Sequence, residues 1–111
     1  MITPEELTSI PKESLPEFSK NLSASDIRQL VDWLSLKEDN LRYSSFLLLQ
    51  SRSSFFDDVY PYWDIFYKKL SSENSYQRSI GLMLIAENVP WDKENKLENT
   101  IDEYLKLLYD E

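Results

Sequence analysis

Arg42 and Arg78 are the polar residues with the most chemistry to offer. Each opens an apolar run, "LRYSSFLLL" and "QRSIGLMLI", and the two stand 36 residues apart. A guanidinium fork matches the geometry of a carboxylate or a phosphate. On adjacent packed helices the pair would be about 8–10 Å apart, close enough to share one anion. The same two side chains can instead serve the fold, each bonding a carboxylate or a loop carbonyl at the turn before its helix. The sequence leaves both readings open.

A second cluster is aromatic: Phe55, Phe56, Tyr60, Tyr62, Trp63, Phe66 and Tyr67. Helical spacing sends Trp63, Phe66 and Tyr67 inward. Tyr60 and Tyr62 cannot both point the same way as Trp63, so at least one of them is expected at the surface, where tyrosine suits a protein interface. Arg42, Arg78, Tyr60 and Tyr62 are therefore the candidate protein-binding residues. Carboxylates are abundant, but Asp57 and Asp58 read as a helix cap, and Asp92, Glu94, Glu98, Asp102 and Glu103 as a solvated face without the glycine and ligand spacing of a calcium loop.

The chain has no histidine and no cysteine. That removes the usual general base, the nucleophilic Ser-His and Cys-His pairs, thiolate chemistry and most zinc sites. One glycine cannot build a phosphate loop. The expectation is a non-enzyme with no catalytic residue, no metal and no cofactor. A net charge of −8 on 111 residues disfavours nucleic acid and anionic membrane. It suits a protein partner, a basic one above all. "MITPEELTSIPKES" lacks the basic start and apolar run of a secretory leader, and no run has the roughly 18 apolar residues of a membrane span, so a cytoplasmic place is expected.

The elements that would position these residues are helical. Thr3, Pro4 and Glu6 form the start of a short helix, and Leu15, Phe18 and Leu22 suggest another. Ser23 with Asp26 caps a third, whose Ile27, Leu30, Val31 and Leu34 follow the i, i+3, i+4, i+7 spacing of one apolar face. A helix after Asp39 or Asn40 is apolar all round at Phe46–Leu49 and should be buried on more than one side. Asp57 or Asp58 would cap the next, with Pro61 in its first turn. Another runs from about Tyr76 to Glu87 and is ended by "NVPW". A last amphipathic segment carries Leu97, Ile101, Tyr104, Leu105 and Leu108 on one stripe.

The chain also matches itself. Shifted by 36 residues, Leu34 falls on Leu70, Arg42 on Arg78, Ser45 on Gly81 and Leu49 on Ile85, with no gap from residue 27 to 50. A shift of 38 brings Phe66, Lys68 and Leu70 onto Tyr104, Lys106 and Leu108. Helix pairs with a period in the thirties are the pattern of a helical solenoid. This explains why the only glycine sits inside an apolar helix. Ser45 and Gly81 share one repeat position, kept small where a neighbouring helix passes close. Leucine at Gly81 should destabilise by about 1–3 kcal/mol, and alanine should be mild.

These residues resemble the second helix of HEAT or armadillo-type repeats, with an arginine near the helix start, a small residue three on and an aliphatic residue four further: Arg42, Ser45 and Leu49, then Arg78, Gly81 and Ile85. Asp39 fits the acidic partner that usually precedes the arginine, whereas the second unit has only Asn74 or Ser75 there. The resemblance covers about residues 25–109 and implies an all-α superhelix of two and a half helix pairs in a single domain. Its parts are an N-terminal segment 1–22, repeat 1 at 23–52, repeat 2 at 57–89 and a final helix at 92–109, either a cap or the start of a longer solenoid. It implies a protein-binding module. An acidic inhibitor of a basic partner, or a relative of the HEAT-like DNA alkylation-repair proteins, are the alternatives.

Overall fold

A computed structural model describes residues 2–98 and 100–102. Six α-helices follow one another: α1 (Pro4–Thr8), α2 (Leu15–Lys20), α3 (Ala24–Trp33), α4 (Asp39–Ser53), α5 (Trp63–Lys69) and α6 (Ser75–Asn88). Short 3-10 turns precede α2 and α5 and follow α6. A terminal helix begins at Lys96. Among the described residues there is no strand, and no helix is long and apolar enough to cross a membrane. Tyr104, Leu105, Lys106 and Leu108 of the expected last helix lie outside the described residues.

The local signals explain most boundaries. Thr3 accepts the Glu6 N–H at 3.1 Å and starts α1. Ser23 and Asp26 form a reciprocal capping box on α3. The next two caps are equivalent to each other. Glu38 accepts the N–H groups of Asn40 and Leu41, and Asn74, 36 residues on, accepts those of Tyr76 and Gln77. Leu34 and Leu70, also 36 apart, close α3 and α5. One boundary departs from the sequence reading. Neither Asp57 nor Asp58 caps α5, which has no side-chain cap. Its backbone is led in by the 3-10 turn Tyr60–Tyr62, and Asp58 turns back to α4.

The core follows the helical periodicity. Ile27, Leu30, Val31 and Leu34 are buried on α3, and Trp63, Phe66 and Leu70 on and just after α5. α4 is the central element and packs against α1, α2, α3 and α6. That is why Phe46, Leu48 and Leu49 are buried although they do not lie on one stripe. α5 packs chiefly on α6. Trp63 Nε1 donates to Thr100 Oγ1 at 3.1 Å and ties the terminal helix to α5.

Gly81 lies against α5, as expected of a position kept small for a close helix contact. The contact is tighter than the sequence suggests. A β-carbon built there would be 2.5 Å from the Phe66 carbonyl oxygen and 2.9 Å from Lys69 Cβ. Alanine is therefore not mild at this position, because the obstacle is backbone rather than a side chain that can swing away. At the equivalent place in the first pair, Ser45 is fully buried and its hydroxyl donates to the Leu41 carbonyl at 2.6 Å.

Candidate functional site

Arg42 and Arg78 both hold turns. Arg42 Nη1 donates to the carbonyls of Leu36 and Lys37 at 3.2 and 3.4 Å, and its Nη2 pairs with Asp39. Arg78 Nη1 donates to the carbonyls of Ser72 and Glu73 at 2.8 and 3.0 Å. In each case the acceptors are six and five residues upstream, so the two arginines make the same bond. Arg78 has no carboxylate partner among the described residues, because Ser75 stands where Asp39 stands in the first unit. Arg42 lines two cavities whose walls do not include Arg78.

The tyrosines correct the sequence reading more strongly. Tyr60 is buried, and Tyr62 is half-buried against the core, so neither is the exposed anchor expected. The 3-10 turn before α5 makes this possible, since it turns Tyr60 onto Trp63 in an edge-on contact with ring centres 5.6 Å apart. The Tyr60 hydroxyl donates to Asp92 Oδ1 at 2.6 Å. Asp92 in turn accepts the N–H groups of Lys96 and Leu97 at 2.8 and 2.9 Å, and so caps the terminal helix instead of lying on a solvated face.

This pairing sets two titrations. Burial, reinforced by the bond to Asp92, pushes the Tyr60 hydroxyl from its ordinary 10.0 up to about 12. For Asp92, burial acts to raise the carboxyl, but the hydrogen bonds from Tyr60, Leu97 and Lys96 outweigh it and hold the group below the usual 3.8. The stability tied to Asp92 is present above 3.8 and lost as pH falls through its lower folded value. That tied to neutral Tyr60 is complete below pH 10.0 and is lost as pH rises toward about 12. Ultraviolet titration should therefore show a late tyrosine ionisation toward pH 12, with unfolding on the same step. Tyr60→Phe should remove that late step; a late step that survived would assign it to another tyrosine.

The exposed aromatics are elsewhere. Tyr43 on α4 and Tyr76 on α6 are 57 % and 65 % exposed, and Met83, two turns beyond Tyr76, is 45 % exposed. Between them lies a groove of about 320 Å³, walled by Tyr43, Phe46, Tyr76, Ile80 and Met83, with Asp39 and Arg42 at one end. Arg42 stacks over the Tyr76 ring at 5.1 Å and fixes it across the helix pair. Met83 also borders an apolar cleft of about 360 Å³ that continues toward Leu97 and Ile101. Of the residues singled out from sequence, only Arg42 belongs to this face. The missed signal is positional. Tyr43 and Tyr76 lie near the starts of α4 and α6, each ahead of the first buried position of its helix, Ser45 and Ile80.

Two buried charges also escaped the sequence reading. Arg52 holds Asp58 through Nε and Nη2 at 3.0 and 2.6 Å and donates Nη1 to the carbonyls of Ser19 and Lys20. Lys69 is 9 % exposed, with Nζ 2.6 Å from Gln77 Oε1 and 3.2 Å from Ser35 Oγ. Each falls on an apolar stripe, three residues after Leu49 and Phe66 respectively. A charge on a buried stripe is the sign that could have found them.

Among the described residues no group of three or more acidic side chains is placed to hold a metal ion. Comparison with protein-family models, with curated proteins and with solved structures finds no match.

Proposed function

We propose that this chain is a HEAT or armadillo-type helical-repeat module with no catalytic activity, and that it binds another protein across the α4–α6 face. The observation that carries this reading is the exposed row Tyr43, Tyr76 and Met83 around a groove. Large aromatic and methionine side chains left in water at a concave surface are the usual anchors of protein recognition. The repeat reading is supported by the landmarks 36 residues apart: paired caps at Glu38 and Asn74, and paired arginine-to-turn bonds at Arg42 and Arg78. In this reading the arginines shape the turns, and the face between successive second helices does the binding.

The test is affinity capture on immobilised protein, with Tyr43→Ala, Tyr76→Ala and Phe55→Ala as separate baits and washes at two salt concentrations. Phe55 is also exposed but lies beyond the far end of α4, and serves as the control. A partner retained at the higher salt, lost by the Tyr43 and Tyr76 variants and kept by the Phe55 variant supports the face. Each loss should be about 2 kcal/mol, or some thirtyfold in Kd. A basic partner released by salt alone and indifferent to both tyrosines would favour the electrostatic inhibitor instead.

A further inference from the structure

On the opposite side of Arg42 from the apolar groove, a cavity of about 510 Å³ opens between the turn after α3 and the start of α6. Its charged lining is Lys37, Arg42, Lys68 and Lys69, and no carboxylate belongs to its wall. This is unexpected in a chain with 20 acidic and 12 basic residues. Arg42 is already committed to Asp39. The three lysines are not. Among the described residues none of them has a carboxylate within 4.0 Å.

Lys69 is the telling member. An ammonium removed from water is costly unless an opposite charge compensates it. Lys69 is buried all the same, and its two hydrogen-bond partners, Gln77 and Ser35, are both neutral. Gln77 is itself fixed, because its Nε2 donates to the Leu34 carbonyl at 2.8 Å. The ammonium is thus held in place at the cavity wall by a rigid partner, with one of its three donors unused. At the mouth, α6 starts after its cap Asn74 and carries no acid in its first turn. Burial also shifts Lys69 below the usual lysine value, as an ammonium without a counter-charge requires.

We propose that this cavity binds a phosphate-class oxyanion, with Lys69 as the fixed contact and Lys37, Lys68 and Arg42 completing the cationic wall. A single carboxylate would leave most of the lysine charge unmatched. A phosphate carries about 1.5 to 2 negative charges near pH 7 and offers three acceptor oxygens. Leu36 and Ile65 at the rim are 36 % and 43 % exposed, and leave room for an apolar or sugar-like substituent on the phosphate.

The experiment is a two-dimensional NMR titration of the intact chain with inorganic phosphate, at low ionic strength and up to about 10 mM, the range of weak oxyanion sites. Saturable shifts at Lys69, Gln77 and the first turn of α6 are expected. Lys69→Met keeps the aliphatic stem and should weaken binding about tenfold, the scale of one hydrogen bond to a charged group. Lys93→Gln, away from the cavity, should leave it unchanged. Should Lys69→Met fail to fold, the double variant Lys37→Gln, Lys68→Gln changes only exposed side chains and should weaken binding by a similar factor. Absence of saturation overturns the proposal, as does unaltered binding in the folded Lys69 or Lys37, Lys68 variants. Acetate binding as tightly as phosphate overturns the ligand class.

Discussion

Gly81→Ala is expected to destabilise the protein by about 1–3 kcal/mol, although the same exchange in an ordinary helix interior gains about 1 kcal/mol. The sign reverses because the new methyl has nowhere to go. It would lie 2.5 Å from the Phe66 carbonyl oxygen, which is fixed in the middle of α5. Relief requires α5 and α6 to move apart, and that would loosen the contacts of Phe66, Leu70, Leu84 and Ile85, all buried. Gly81→Leu should cost more, since Leu70 Cδ2 closes the remaining space at 3.5 Å. Ser45 supplies the internal control. Its β-carbon is already accommodated at a fully buried place on α4, so Ser45→Ala should cost no more than the lost bond to Leu41, about 1 kcal/mol. Urea denaturation of the three variants would decide the matter. An alanine at 81 as stable as glycine would mean that the two helices separate without cost.

The contrast between these two positions shows what the sequence can and cannot convey. The alignment of Ser45 with Gly81 required only residue size, and it located a close helix contact correctly. How close was not legible, because it depends on the angle and depth at which α5 crosses α6. Apolar stripes fixed the core of α3 and α5 for the same reason: a period of 3.6 needs no partner to be read. Tyr60 was misread because a 3-10 turn, not a helix, carries it, and the two periods send its ring in different directions. Asp58 was misread because a carboxylate ahead of an apolar run satisfies the rule for a cap, while its actual partner, Arg52, lies on the preceding helix. The candidate binding face was legible least. An exposed tyrosine is defined by what does not cover it, and no local pattern reports that.

The same 36-residue register places Arg52 opposite Asn88, and the chemistry at the two positions differs. Asn88 donates to Ser53 Oγ on α4 and to the Leu84 carbonyl of its own helix, α6. Arg52 reaches out of its pair, to the last carbonyls of α2 and to Asp58 in the loop beyond α4. It also stacks at 3.9 Å from the Phe56 ring centre. It therefore fastens the N-terminal helices and the α4–α5 connection to one point. Positive charge at the C-terminal end of α2 also complements that helix's dipole.

Arg52→Ala should cost about 2–4 kcal/mol. Two carbonyls lose a charged donor, a bidentate ion pair is broken, and the stem's packing is removed. The loss stays below that of a fully enclosed pair, because the Asp58 side chain is 41 % exposed and keeps part of its hydration. Arg52→Lys should recover little, since one ammonium cannot span four acceptors arranged around a planar fork. Asp58→Asn should cost about 1 kcal/mol, because the bonds to Ser19 and Lys20 survive it. The decisive readout is local as well as global: hydrogen exchange in α2 should accelerate in Arg52→Ala and stay near wild type in Asp58→Asn. Equal acceleration in both would place the anchor in the ion pair alone. A global loss under about 0.5 kcal/mol, the scale of an ordinary surface change, would show that α2 is held without Arg52.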